Sequence, residues 1–238
     1  MGKLLQVAAQ QDAATVTEAP LGRTSNPGNV TPLNARGVPV NRLSDSFENF
    51  DLSVNGDMEA ARDRCRAVAE GREWCAFLTG GFGNGKTHLA IAALNLWAAE
   101  HLTGYFWKTP DFLQYLRDLA FNARRAAADD GLSRFGDGIG IDAAIEPYSR
   151  GHFLLVLDDL GTENPTAWAE EQLYRVLDSR YDGCLSTIIT TNRDIGRIDG
   201  RILSRFREGL VVCEGRDVRA AVSRARTERL APAGARAG

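Results

Sequence analysis

The chain has 238 residues, 44% of them apolar and 25% charged, which suits one sizeable core with small appendages and is too few for two full domains. A formal net charge of −3 argues neither for nor against a nucleic-acid partner, and no apolar run approaches the ~18 residues of a membrane span, so the expectation is a soluble, cytoplasmic protein. Cys65, Cys75, Cys184 and Cys213 form no C-x-x-C pair and His88, His101 and His152 show no ligand spacing, which disfavours a disulfide framework and a zinc site.

Residues 1–46 are rich in Gln, Thr, Asn, Gly and Pro and read as a largely disordered tail, a candidate docking segment for a partner. Apolar density rises at Phe47, so the folded domain is placed at 47–220, with a basic tail at 221–238. Asp57 can cap a helix running to about Glu70, and Trp74 to Thr79 reads as a short buried strand. Next comes Gly80-Gly81-Phe82-Gly83-Asn84-Gly85-Lys86-Thr87, the pattern G-x-x-x-x-G-K-[ST] between an apolar run and a helical run. A glycine-rich turn is the plain alternative, but only three lysines occur in the chain. One of them falls where a phosphate needs a compact point charge.

Leu89, Ala92, Ala93, Leu96 and Trp97 predict a helix from Lys86 to near Gly104, followed by a strand at Tyr105 to Lys108. Phe112, Tyr115, Leu116 and Leu119 mark a further helix with Asp111 as its cap. Residues 129–151 hold five glycines and read as a loop or insertion; Gly136-Asp137-Gly138-Ile139-Gly140 follows no strand and is taken as flexibility. Phe153 to Leu157 is the most apolar strand and closes on Asp158-Asp159. Asn164-Pro165 then opens a helix to about Tyr181, Thr187 to Thr191 forms a strand, Ile202 to Phe206 a short helix and Leu210 to Cys213 a last strand. Strands that alternate with helices and are apolar on both faces imply an α/β fold, a mainly parallel sheet between two helical layers.

The glycine-rich segment supplies the parts of a phosphate loop: backbone N–H groups to cradle phosphate oxygens, Lys86 for the β and γ phosphates, and the Thr87 hydroxyl for Mg²⁺. Gly80 to His88 are therefore the candidate nucleotide-binding residues. A nucleotide-hydrolysing site also needs an apolar strand ending in an acid. Asp158 fits that place, holding Mg²⁺ through water, and Asp159 is placed to activate the attacking water. Asn192, at the end of its strand, could orient that water against the γ phosphate; alone it is a strand-end turn residue. Arg201 and Arg205, four apart on one helical face, either pair locally or present a guanidinium to a neighbouring subunit.

Together these segments resemble the AAA+ ATPases of the DnaC/IstB group, bacterial and phage helicase loaders and transposition helpers. The resemblance rests on Gly37-Val38-Pro39, Ser46 to Asp51, Gly85 to Ala90, Leu157 to Glu163, Glu171 to Tyr174, Thr187 to Asn192 and Arg201 to Phe206, within residues 37 to 220. It implies a P-loop NTPase sandwich with strand order 5-1-4-3-2, Asn192 as first sensor, Arg205 as arginine finger and Phe47 to Asp51 near the adenine. It also implies ATP and Mg²⁺ as cofactors, an ATP-dependent homo-oligomer, single-stranded DNA and a replicative hexameric helicase as partners. The chain departs from the usual pattern in two ways. Twenty-four residues after Glu214 leave no room for a helical lid, so the second sensor is at best Arg216 or Arg219; and only a short cysteine-free tail precedes the ATPase. A transposition helper that binds duplex DNA is the nearest alternative, and a nucleotide-locked scaffold with little turnover the next.

For single-stranded DNA, Arg117 and Arg124 lie seven apart, opposite the Phe112, Leu116, Leu119 stripe, with Arg125 beside them. A solvated helix face explains the same residues. Residues 193–238 carry eleven Arg against six acids, a local +5 that leaves −8 on residues 1–192. Such an end steers toward phosphate, or is simply a solvated surface.

Overall fold

In the computed structural model, residues 36–53, 58–101, 103–129, 138–162 and 166–218 are described, all within the unit Thr31–Gly238. Five strands, β1 (Cys75–Gly80), β2 (Gly104–Lys108), β3 (Leu154–Asp158), β4 (Thr187–Thr191) and β5 (Leu210–Cys213), form one all-parallel sheet of order β2-β3-β4-β1-β5. Read from the other edge this is the expected 5-1-4-3-2. Among the described residues six α-helices are interleaved with them: α1 (Glu59–Ala69), α2 (Lys86–His101), α3 (Thr109–Asp129), α4 (Gly138–Arg150), α5 (Ala167–Asp182) and α6 (Gly200–Arg205).

Strand alternation sorts the side chains into two cores. Ala76, Leu78, Leu154, Val156 and Ile188 face α1 and α2, whereas Cys75, Phe77, Leu155, Leu157 and Ile189 face α3 to α6. Both sets are buried, which is why β3 and β4 read as unbroken apolar or Thr runs. The edge strands β2 and β5 are only partly covered. No described helix is long and apolar enough to cross a membrane.

Several boundaries differ from expectation for identifiable reasons. Helix α3 begins at Thr109, so Asp111 lies in its first turn and is not the cap; Pro110 fits there because first-turn N–H groups lack helical partners anyway. The cap of α5 is Thr166, whose hydroxyl accepts from Ala169 N–H, while Asn164 and Pro165 lie outside the described residues. Asp57 is outside them too, and α1 starts after Met58. The largest correction is α4, which stands where a loop was expected and takes in Gly138 and Gly140. Ala144, Ile145 and Tyr148 bury one face of it, and Tyr148 meets Phe112 edge-on at 5.0 Å. Pro147 sits in its last turn.

Packing also starts before Phe47. Val38 is fully buried, Phe106 N–H donates to Arg36 O (2.8 Å), and Gly37, at φ +82°, lies so close to the Phe106 carbonyl that no Cβ would fit. The expected tail boundary at 46 therefore falls inside the packed body. Residues 1–35 and 219–238 lie outside the described residues.

Candidate functional site

All five strands of the parallel sheet end on one edge, and α/β folds place ligands beyond the carboxyl ends of their strands. The β1–α2 loop crosses this edge. Positive φ at Gly80, Gly83 and Gly85 curls it, and a side chain on Gly85 would strike the Phe50 ring. Lys86 is buried; its Nζ donates to Gly80 O (2.9 Å), Gly81 O (2.6 Å) and Asn84 Oδ1 (3.0 Å). The amide of Asn84 donates in turn to Cys213 O at the end of β5 (3.1 Å). Phe82, by contrast, is 61% exposed at the tip. His88 Nε2 lies 2.9 Å from Ser46 O and its ring is 5.3 Å from that of Phe50, so the segment before α1 packs beside the loop.

Two acids face this loop from the end of β3. Asp158 is almost fully buried, and its Oδ1 accepts from the Thr87 hydroxyl (2.9 Å) and the Thr190 hydroxyl (2.6 Å). Burial raises its pKa, and the negative charge of Asp159 pushes the same way; the two hydroxyls oppose but do not cancel them. A cation would relieve that cost. Asp159 adopts φ +58°, a left-handed conformation that Asp tolerates better than most residues. Three contacts hold it there: its N–H donates to Thr190 Oγ1 (3.0 Å), its carbonyl accepts from the Thr162 hydroxyl (2.8 Å), and Asn192 Nδ2 donates to its Oδ1 (2.8 Å). The strained turn sets a second carboxylate against the Asn192 amide.

The donor set fits magnesium. A hydroxyl and a carboxylate, 2.9 Å apart and converging, leave most positions to water and phosphate, as that ion prefers, and no cluster of three or more His, Cys, Asp or Glu ligands exists among the described residues.

Lys86, Thr87, Asp158, Asp159 and Asn192 are thus brought together, but Arg205 is not. Its guanidinium donates to Asp178 Oδ1, Tyr174 OH (2.7 Å) and Arg201 O (3.1 Å), and it lies over the rings of Tyr174 and Tyr181. Arg201 bonds Asp199 and also covers Tyr174. On α3, Arg117 is exposed with its guanidinium over Trp168 and one N–H on Gln114, and Arg125 is exposed; the Arg124 side chain lies outside the described residues. Arg216 is exposed, and Arg219 is outside the described residues.

Sequence reasoning missed Thr190, which serves both acids, and Phe121, 64% exposed and midway between Arg117 and Arg125 on one helical stripe. A Thr in a strand of Thr and Ile carries no signal of its role. The Phe121 spacing was available as an apolar residue out of phase with the buried stripe.

Sheet order and loop together define the fold of a P-loop NTPase of the AAA+ type. No family model matches the chain. Among curated proteins it is 27% identical over 200 residues to the chromosomal replication initiator protein DnaA of Synechocystis sp., a match covering 82% of this chain and 39% of that protein. The chain thus aligns with about two fifths of that relative's length. Among solved structures it superposes on the replication initiator DnaA bound to AMPPCP and single-stranded DNA (TM-score 0.55, 22% identity, 77% of this chain and 54% of that one). It also superposes on DnaI (TM-score 0.55, 22% identity, 75% and 95%). At that identity these two likenesses concern the fold.

Proposed function

We propose that the chain is a DNA-replication ATPase of the helicase-loader kind, which binds ATP at the β1–α2 loop and hydrolyses it in a site shared between two copies. The observation that carries the ATPase reading is the pair of linked contacts Thr87–Asp158 and Asn192–Asp159. In this reading they support a metal-holding Asp158 beside a water-activating Asp159, opposite the phosphate loop.

In this reading Lys86 exchanges its loop carbonyls for the β and γ phosphates, and the backbone N–H groups of Gly81 to Thr87 cradle them. Magnesium, held by Thr87 and by Asp158 through water, would neutralise charge on the phosphates. Asn192 fixes the Asp159 carboxylate, and Asp159 accepts the proton of the attacking water. Arg205 of a second copy completes the charge stabilisation once it leaves Asp178.

Support for a replication role comes from the curated DnaA relatives and from the fold shared with a DnaA bound to single-stranded DNA. Arg117, Phe121 and Arg125 give that partner cations for phosphates and a ring for a base. The test is hydrolysis with and without single-stranded DNA, together with capture of a hexameric replicative helicase. Stimulation by DNA that is lost in Lys86→Ala and Arg205→Ala is expected, and absence of stimulated turnover overturns the ATPase reading in favour of a scaffold. No helicase complex at micromolar concentration with ATP sinks the loader reading. ATP-dependent assembly on DNA alone would then favour an initiator role, the reading nearest to the curated relatives' names.

A further inference from the structure

The segment after β5 closes back onto the phosphate loop. Cys213 O, the last carbonyl of β5, accepts from Asn84 Nδ2 at 3.1 Å and lies so close to Gly80 that no Cβ would fit there. Five residues on, Val218 N–H donates to Gly83 O at 3.0 Å. Between these two anchors the Asp217 carboxylate rests on Gly83, which sits at φ +72° and could carry no side chain without striking it. A backbone hydrogen bond and a seated carboxylate therefore tie residues 214–218 to the loop that would hold a polyanion.

We infer that residues 214–218 form a strap that competes with nucleotide phosphate for the β1–α2 loop, with Asp217 supplying the opposing charge. This rests on the reading of that loop as the nucleotide site. A carboxylate against Gly83 lies well inside the ~8–10 Å over which charges act unscreened at ordinary salt, so it disfavours incoming phosphates. Its oxygens are also acceptors of the same kind as phosphate oxygens, set beside the loop that phosphate would occupy. Reciprocity follows: whatever the strap costs nucleotide binding, bound nucleotide costs the strap. The Lys86–Asn84–Cys213 chain of hydrogen bonds gives the two states a direct link, because Lys86 must turn from Asn84 to meet phosphate.

The probe is ADP, titrated into the full chain by calorimetry, with melting curves to show that each variant is folded. Asp217→Asn removes the charge and keeps the size; Val218→Pro removes the N–H donor and keeps the charge. Asp217→Asn is expected to bind ADP roughly tenfold tighter than the parent at low salt, with the gain shrinking as salt rises. Val218→Pro is expected to bind tighter by a smaller, salt-independent factor. In the parent, ADP is expected to speed amide exchange at Val218. If the parent binds ADP and Asp217→Asn binds it equally or more weakly, the strap is overturned and the nucleotide site stands. If affinity rises but Val218 stays protected with ADP bound, displacement is overturned and only the charge effect remains. If no folded variant binds ADP, the nucleotide site falls and the strap with it.

Discussion

At the residue scale the costliest feature of the site is Asp158, an acid buried at the end of a strand beside a second acid. Its folded pKa is raised above the ordinary 3.8 by desolvation first, so the folded state holds this proton more tightly than the unfolded chain does. The sign follows: its contribution is most favourable at low pH and is lost as pH rises from 3.8 through the raised folded value. Above that range and without a cation, the buried carboxylate works against the fold. Asp158→Asn should therefore melt higher than the parent in metal-free buffer, by about 2–4 °C for each kcal/mol relieved. Both hydroxyls that serve Asp158 donate to one oxygen, which the amide oxygen of Asn can replace. The same variant should lose ATP hydrolysis by ~100-fold or more, because it cannot hold magnesium through water. A melt that drops, or a melting point with the parent's pH dependence, would contradict this account. The two acids and Lys86 were legible because linear patterns carry them: a glycine-rich loop, and apolar residues stopping at acid. Thr190 and Asp217 were not, since their importance comes from partners 32 and 134 positions away, a pairing that only the folded sheet creates.

At the scale of elements, α5 joins the sheet to helix α4 through Arg180. That side chain is fully buried, and its N–H groups reach Thr187 Oγ1 (2.8 Å), Tyr148 O (2.8 Å), Phe153 O (2.8 Å) and Ser186 O (2.7 Å). These are the end of α4, the approach to β3 and the start of β4. Desolvation lowers its pKa to about 9, leaving it charged at neutral pH, where the C-terminal carbonyls of α4 favour a cation. Arg180→Met would strand several buried acceptors and should cost about 3–5 kcal/mol in urea unfolding, with Arg180→Lys between it and the parent. A loss under 1 kcal/mol would mean that water replaces the guanidinium. The strands that Arg180 joins were legible to within a residue because their buried runs are short and uniform. Helix α4 was hidden by Gly138, Gly140 and Pro147, although Ile141, Ala144, Ile145 and Tyr148 keep helical spacing. Helical burial against Phe112 and Leu173 outweighs the glycine cost of ~1 kcal/mol each.

At the scale of the whole molecule, the proposed shared site turns on Arg205, which bonds away from the phosphate loop. All of the hydrogen bonds of Arg205 go to α5 and to its own helix α6, whereas Lys86, Thr87, Asp158, Asp159 and Asn192 bond among themselves and to their strands and loops. Tyr174 and Asp178 hold Arg205 against α5 and α6. If the site is composite, defects in its two halves must complement. Lys86→Ala keeps an intact Arg205, and Arg205→Ala keeps an intact loop, so each alone should be inactive. Mixed in equal amounts with ATP and DNA, about one junction in four pairs an intact loop with an intact guanidinium. Turnover should return to roughly that fraction of the parent's and depend on total protein concentration, because the junction forms only on assembly. A site completed within one chain predicts no recovery at any ratio, and Arg205→Ala that hydrolyses normally would remove Arg205 from the chemistry. The assay thus separates a residue that pairs with Asp178 for local stability from one that Asp178 holds for a neighbour.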